Sequence, residues 1–185
     1  MIIQFCGMSG VGKTTISYAV QRQALKKKLK VQIIDGDVYR KTICKDLGFT
    51  KEDRNENIRR LAIVADKFSK DGAIAIICAI NPYESIRNEL RSKYPGILTI
   101  YLDCSLDVLI QRDTKDLYKK AFLSKDDPDK IYNLSGVNDP FEVPENPDLH
   151  LYTEKYSIDE CVQQILNLIE NNLEKSKKRE IQTFL

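Results

Sequence analysis

The sequence predicts an α/β fold in which a five-stranded, mainly parallel sheet is flanked by helices. Short apolar runs rich in β-branched residues alternate with longer segments of helical spacing, which is typical of the crossover units that build a parallel sheet. The runs are also almost continuously apolar, as expected for strands that helices cover on both faces. Five runs predict strands, at residues 2–6, 31–34, 73–80, 97–102 and 149–152.

The segments between these runs carry apolar residues at helical spacing. One stripe consists of Ile16, Val20 and Ala24, and a second of Ile58, Leu61, Ala62, Ala65 and Phe68. Ser157 is placed to cap a last helix, whose stripe runs through Ile158, Val162, Ile165, Ile169 and Leu173. These stripes predict helices that pack on the sheet and contribute to its core.

Length and composition exclude several classes of protein. The 185 residues fit one domain at roughly 150 residues per domain, and 42% hydrophobic with 30% charged residues is the usage of a globular chain. The 29 basic and 27 acidic residues leave a net charge of +2, which favours neither a nucleic acid nor a membrane surface as partner. The longest apolar run has eight residues, far below the roughly 20 of a membrane helix.

The first residues and the cysteines indicate where the protein works. Met1 leads directly into an apolar run and a glycine-rich turn, without the pattern of a secretory signal, so we expect a cytoplasmic protein. The number of cysteines is odd and no C-x-x-C pair occurs. We therefore expect buried free thiols rather than metal or redox chemistry at Cys6, Cys44, Cys78, Cys104 and Cys161.

Residues 112–147 interrupt the alternation of strands and helices. This stretch is rich in lysine, aspartate and proline and is much longer than an ordinary connection, so it predicts a mobile lid. The last residues are charged and lack periodicity. We expect a single domain over residues 1–175 and a frayed, solvated tail over residues 176–185.

A phosphate-binding loop follows the first predicted strand. Residues 7–14 match G-x-x-x-x-G-K-[ST] and precede an amphipathic helix, which is the context that this motif requires. Backbone N–H groups and the helix start attract phosphate, Lys13 reaches the β and γ phosphates, and Thr14 offers a hydroxyl to Mg²⁺. The predicted ATP-binding residues here are Gly7, Ser9, Gly10, Val11, Gly12, Lys13, Thr14 and Thr15.

Other motifs narrow the class of nucleotide-binding protein. The N-K-x-D element with which a regulatory GTPase reads guanine is missing. A motor or helicase would usually show an apolar strand ending in Asp-Glu, but Asp103 is followed by Cys104. A compact phosphotransferase remains, in which a lid closes over two substrates and excludes water.

The second strand predicts the acceptor side of the site. It ends in Asp35-Gly36-Asp37, followed by Arg40, and ligands bind at the carboxyl ends of strands in such sheets. A carboxylate there can receive the proton of an attacking hydroxyl or hold Mg²⁺ through water, and Arg40 can grip an anion with two parallel hydrogen bonds. Without the neighbouring motif, a polar turn with a helix cap at Asp37 would explain these residues equally well.

A capped helix follows the acceptor strand. Thr50 begins it, and Arg54 and Asn57 are spaced to share one polar face. Phe49 precedes the cap. An aromatic residue in this place either acts as a hydrophobic staple or stacks on a nucleobase.

Together these motifs resemble the adenylylsulfate kinase (APS kinase) family over nearly the whole chain. The resemblance rests on G-x-S-G-x-G-K-[ST], D-G-D-x-x-R, D-L-G-F-[ST]-x-x-D-R-x-E-N-I-R-R, N-P-Y, the run R-D-x-K-x-L-Y-K-K-A from Arg112, and G-V-x-x-x-F-E-x-P from Gly136. It implies a P-loop kinase fold, a homodimer, and transfer of the γ-phosphoryl group of MgATP to the ribose 3′-hydroxyl of adenylyl sulfate.

The resemblance also implies roles for single residues. Lys13, Asp37 and Lys115 would be catalytic, Thr14 and Asp37 would hold Mg²⁺, and Arg112 would lie against the ATP adenine. Lys115 and Lys119 would be lid lysines that meet phosphate charge, and Phe49 would stack on the acceptor base. The implied acceptor-binding set is Asp35, Arg40, Phe49, Arg54, Asn57, Ile80, Asn81, Lys115 and Leu134.

The sequence departs from the family pattern mainly on the acceptor side. Val38 stands where the family usually has Asn, Asn81 replaces a Ser, Asp116 replaces a Gly, and Leu134 replaces a lid Phe. The lid is also longer between Ala121 and Leu134. Two alternatives to adenylyl sulfate kinase therefore stay open: 3′-phosphorylation of cytidine diphosphoramidate in polysaccharide modification, and an ATP-binding regulatory module without transfer.

Overall fold

The computed structural model describes the backbone of residues 1–183 and the side chains of residues 1–178. Its five strands form one sheet in the order β2-β3-β1-β4-β5, and every neighbouring pair is parallel. The sheet is therefore fully parallel. The strands are β1 (Ile2–Cys6), β2 (Val31–Asp35), β3 (Ile74–Cys78), β4 (Leu98–Asp103) and β5 (Leu149–Tyr152).

Helices connect the strands and cover both faces of the sheet, as the alternation of patterns predicts. They are α1 (Lys13–Lys26), α2 (Gly36–Tyr39), α3 (Lys51–Lys70), α4 (Glu84–Lys93), α5 (Leu106–Arg112), α6 (Leu117–Ala121) and α7 (Ile158–Thr183). Helices α1 and α7 share one hydrophobic cluster with the sheet. Helices α3 and α4 pack in a second cluster on the other face.

Two helix starts carry the caps that the sequence predicts. The Thr50 hydroxyl accepts the N–H of Asp53 at 3.1 Å at the start of α3. At the start of α7, the N–H of Ser157 donates to the Glu160 carboxylate at 2.8 Å, and the Ser157 hydroxyl accepts the N–H of Glu160 at 3.3 Å. This second arrangement is a capping box.

The lid region contains short helical elements followed by a long irregular segment. Helix α5 ends at Arg112, α6 covers residues 117–121, and residues 122–148 form turns with one isolated bridge between Ser135 and Asp139. Helix α7 continues to Thr183, so the predicted tail is helical over residues 176–183. Phe184 and Leu185, the rest of the predicted tail, lie outside the described residues.

The prediction for the cysteines is confirmed, since all five are buried free thiols. Among the helices of residues 1–183, none is long and apolar enough to cross a membrane. Because parallel strands end at the same edge, the sheet brings the segments that follow β1, β2 and β3 together. The candidate site lies at that edge.

Candidate active site

The loop between β1 and α1 has the backbone shape of a phosphate cradle. Gly7, Gly10 and Gly12 have φ angles of 152°, 76° and 98°, which side-chain-bearing residues rarely adopt. A Cβ atom at Gly7 would also lie 2.4 Å from the carbonyl oxygen of Leu102. Glycine is therefore required at Gly7 both by conformation and by the close approach of β4.

Lys13 lies at the start of α1 and folds over this loop. Its Nζ donates to the carbonyl oxygens of Gly7 and Met8, both at 2.7 Å. Burial lowers the pKa of Lys13 to about 8, because desolvation disfavours the ammonium form. A phosphate group bound in the loop would favour the charged form of Lys13, because opposite charges at short distance attract.

The end of the loop contacts the acceptor strand through a hydroxyl group. Thr14 Oγ1 donates to Asp35 Oδ2 at 3.0 Å, and Asp35 Oδ1 accepts the N–H of Asp37 at 2.9 Å. These oxygen ligands suit Mg²⁺, which is usually held by one or two carboxylates together with substrate phosphates. Within the described residues, no cluster of three or more His, Cys, Asp or Glu forms a complete metal cage.

The lid meets the acceptor strand through an ion pair. Lys115 Nζ, in the turn between α5 and α6, lies 2.5 Å from Asp37 Oδ2. Both side chains are exposed, Lys115 by 57% and Asp37 by 70%, so the pair is accessible to a substrate. The structure thus brings two of the predicted catalytic residues into direct contact.

Phe49 is not a buried staple, because 50% of its surface is exposed. The guanidinium carbon of Arg40 lies 4.5 Å from the centre of its ring, and that of Arg54 lies 5.4 Å away. Arg40 also donates to the carbonyl oxygens of Leu47 and Gly48, at 3.3 and 3.0 Å. An exposed ring near two cations offers an aromatic surface next to positive charge, which suits a nucleotide.

Arg54 and Asn57 are both buried on α3, as their predicted common face implies. Arg54 donates to the carbonyl oxygens of Phe49 at 3.0 Å and Asn133 at 2.5 Å, and it pairs with Asp139 at 3.0 Å. The sequence does not indicate this lid carboxylate as a partner of Arg54. Asn57 Oδ1 is buried without a hydrogen-bond partner, which leaves an acceptor atom free for a ligand donor.

The segment after β3 is hydrogen-bonded to the phosphate loop, whereas the lid residue Leu134 packs in the core. The carbonyl oxygen of Ile80 accepts the N–H of Gly7 at 3.1 Å, and Asn81 is 1% exposed. Leu134 is 4% exposed and packs in the hydrophobic cluster that includes α1 and α7. The place of Leu134 in the acceptor-binding set stays a prediction.

A cavity lies beside the phosphate loop. Its volume is about 240 Å³, and its walls include the predicted residues Thr15 and Arg112. Arg112 donates to the carbonyl oxygen of Thr153 at 3.0 Å. Sequence reasoning missed Tyr156 and Ile158, which also line it and are 40% and 49% exposed. The sequence does not show that these two residues share a cavity with Arg112.

Ser9 and Val11 are two buried residues of the phosphate loop. Ser9 is 8% exposed and its carbonyl oxygen accepts the Tyr118 hydroxyl at 2.8 Å. Val11 is 1% exposed and belongs to the core. Ser9 is held through its backbone carbonyl and Val11 through its packing in the core, so any contact of these two buried residues with phosphate would be made by their backbone.

The family model for adenylylsulphate kinase matches residues 1–152. The chain belongs to the adenylylsulphate kinase family. Its relatives include adenylyl-sulfate kinases from Chloroflexus aurantiacus, 40% identical over 92% of this chain and 89% of the relative, and from Deinococcus deserti, 39% identical over 90% and 89%. The structure is similar to Mycobacterium tuberculosis APS kinase CysC in complex with AMPPNP and APS, with a TM-score of 0.84, 33% identity, and 91% and 96% of the two chains covered.

The family match confirms the predicted P-loop kinase fold and the APS kinase-like class of ATP-dependent phosphotransferase. The match ends with β5. Tyr156 and Ile158 lie beyond the matched residues.

Proposed function

We propose that this member of the adenylylsulphate kinase family transfers the γ-phosphoryl group of ATP to the ribose 3′-hydroxyl of adenylyl sulfate. The observation that carries the proposal is the contact between Asp37 and Lys115, which joins the lid to the acceptor strand beside the phosphate loop. The relatives named adenylyl-sulfate kinase support the choice of acceptor.

Each side of the reaction has its own set of residues. Lys13 and the loop N–H groups hold the phosphates of ATP, whose base enters the cavity beside Arg112. Asp37 accepts the proton of the 3′-hydroxyl as its oxygen forms a bond to the γ phosphorus and the bond to the leaving ADP oxygen breaks. Lys115 stabilises the negative charge that spreads over the transferred group.

We also propose that Mg²⁺ accompanies ATP in this site. The hydroxyl of Thr14 and the carboxylate of Asp37 would hold it, directly or through water, with phosphate oxygens completing its shell. When bound, the ion neutralises charge on the β and γ phosphates. Asp35 orients Thr14 and caps α2 at the same time.

On the acceptor side, Phe49 stacks on the base while Arg40, Arg54 and Asn57 hold the phosphate–sulfate anhydride. The planar guanidinium groups suit this oxygen-rich group. Ile80 and Asn81 form the floor of the pocket.

One observation favours a second candidate acceptor, cytidine diphosphoramidate. The lid position where the family has Phe carries Leu134, and its side chain is buried in the core. The base would then stack on Phe49 alone, and losing a second aromatic wall costs about 1–3 kcal/mol if base stacking in nucleic-acid proteins is a guide. That loss weighs less for a pyrimidine, which has the smaller stacking surface.

Coupled ADP formation with an acceptor panel tests the proposal. Purified protein with MgATP receives adenylyl sulfate, cytidine diphosphoramidate, AMP, CMP or no acceptor. We expect the highest kcat/KM with adenylyl sulfate and little turnover with the monophosphates. ADP formation that needs no acceptor would indicate ATP hydrolysis, and ATP binding without turnover would indicate the regulatory module.

For assembly and location we propose a homodimer in the cytoplasm. The dimer rests on the family resemblance. Light scattering coupled to size exclusion tests it directly: a mass near twice the 21.3 kDa of the chain supports it, and a mass of one chain contradicts it.

A further inference from the structure

Arg87 on α4 is one of the largest fully buried side chains of the protein, with 1% of its surface exposed. A buried guanidinium must have its charge and its donors satisfied. Glu84 lies 2.7 Å from Nε and 2.6 Å from Nη2, and supplies the opposite charge. The two other contacts go to backbone carbonyls, that of Asn81 at 2.6 Å from Nη1 and that of Glu142 at 2.7 Å from Nη2.

The first carbonyl belongs to the floor of the acceptor pocket. Asn81 has a φ of 50°, an unusual value for a residue with a side chain, so this backbone needs support. Its side-chain Nδ2 donates to Oε1 of Gln4 at 2.9 Å, and the carbonyl oxygen of the preceding residue, Ile80, accepts the N–H of Gly7 in the phosphate loop at 3.1 Å. The bond from Arg87 to the Asn81 carbonyl adds a third contact to this short segment.

The second carbonyl belongs to the end of the lid. The N–H of Glu142 donates to the carbonyl oxygen of Pro82 at 2.8 Å, and its carboxylate accepts the N–H of Glu84 at 2.6 Å. Three residues earlier in the lid, Asp139 pairs with Arg54. The lid end is therefore connected both to α3 and to the segment after β3.

We propose that Arg87 is a positioning residue, which fixes the pocket floor at Asn81 and the lid end at Glu142 as one unit and thereby sets the affinity for the nucleotide acceptor. The inference rests on the proposed function. The planar guanidinium reaches both carbonyls with separate nitrogens, whereas the ammonium of a lysine is a point charge on a flexible stem. None of its own contacts reaches the base cavity or Lys13, and its link to the phosphate loop runs only through Ile80. Its loss should therefore affect ATP binding much less than acceptor binding.

The test compares Arg87→Lys with Arg91→Lys. Arg91 lies one turn later on α4 and donates to the carbonyl oxygen of Asn146 at 2.5 Å and to Thr99 at 3.2 Å, but it contacts neither Asn81 nor Glu142. We expect Arg87→Lys to raise the KM for adenylyl sulfate about tenfold, the size of losing one charge-assisted hydrogen bond, with the KM for ATP changed less than about twofold. Arg91→Lys should change neither KM. An equal rise in both KM values, or the same rise with Arg91→Lys, would overturn the inference.

A second readout does not depend on turnover. Hydrogen exchange at the Glu142 amide, measured by NMR, should be faster in Arg87→Lys and unchanged in Arg91→Lys. If the wild-type protein does not phosphorylate adenylyl sulfate, the proposed function fails, and the exchange rates alone decide the role of Arg87: equal rates in Arg87→Lys and the wild type overturn it.

If Arg87→Lys does not fold, Glu84→Gln removes only the carboxylate that orients Arg87, and an unchanged KM or exchange rate in that variant would contradict the proposal.

Discussion

The two halves of the candidate site are built differently. The ATP side is mostly one contiguous stretch, residues 7–15, whose backbone conformation is fixed by three glycines. The acceptor side is assembled from the ends of β2 and β3, the start of α3 and the lid. The conformation of a contiguous motif is determined by its local sequence. An assembled pocket depends on tertiary contacts that join distant segments, such as Arg54 with Asp139 and Arg87 with Glu142.

This difference has a functional consequence. Substitutions in the phosphate loop should affect every acceptor equally. Substitutions in the assembled half should separate the acceptors from ATP and from each other. The variants below test that separation, beginning with the largest expected effect.

Lys13→Ala should reduce kcat/KM for every acceptor by about 10²–10³-fold or more, since it removes the cation that meets the β and γ phosphates. Steady-state kinetics with saturating acceptor measures the loss. Lys26→Ala, at the exposed end of the same helix, is the matched control and should retain activity. A folded and active Lys13→Ala protein would contradict the assignment of the ATP side.

Asp37→Asn keeps the shape of the side chain and removes its charge. If Asp37 is the general base, kcat should fall by about 10²-fold or more. Thermal unfolding should show a change in stability within about 0.5 kcal/mol, because the side chain is largely exposed. Asp71→Asn, at the end of α3, serves as a control distant from the site. An unchanged kcat in Asp37→Asn would assign the role of base to Asp35.

Arg54→Lys should raise the KM for the true acceptor about tenfold and leave that for ATP nearly unchanged, because one point charge replaces a guanidinium that bonds several groups. Kinetics with each substrate varied in turn measures both constants. Arg59→Lys is the control on the same helix, since Arg59 pairs with Glu89 instead. A parallel rise in both KM values would mean that the two halves are not separable at α3.

The smallest effect concerns the proton on Lys13. In the free protein its pKa is about 8, so about half of the molecules carry the neutral amine at pH 8, and phosphate binding would favour the ammonium form. ATP binding should therefore take up about half a proton at pH 8 and only about a tenth at pH 7. Calorimetry in two buffers of different ionisation enthalpy measures this uptake. Equal uptake at both pH values would show that burial does not lower the pKa of Lys13 into this range in the free protein.

The sequence predicted the parts of the molecule that depend on local patterns. All five strands, the caps at Thr50 and Ser157, the phosphate loop and the family are confirmed. The site roles of single residues remain proposals. Leu134 is assigned to the acceptor pocket because it aligns with an aromatic residue of the family, and its side chain packs in the hydrophobic cluster of α1 and α7.

Other features depend on long-range contacts that no local pattern encodes. The partners of Arg54 and Arg87 lie 85 and 55 residues away along the chain, at Asp139 and Glu142. The continuation of α7 to Thr183 shows that a charged segment without an apolar stripe can still extend an established helix, because adding residues to a helix is easier than starting one.

The most direct test of the account is a competition between acceptors. Adenylyl sulfate and cytidine diphosphoramidate are mixed at equal concentration with MgATP and the wild-type protein, and the phosphorylated products are identified by mass spectrometry, with the position of the new phosphate assigned by NMR. The account predicts mainly 3′-phosphoadenylyl sulfate. A product mainly phosphorylated on the cytidine compound, phosphate at another position, or ADP with neither product would contradict it.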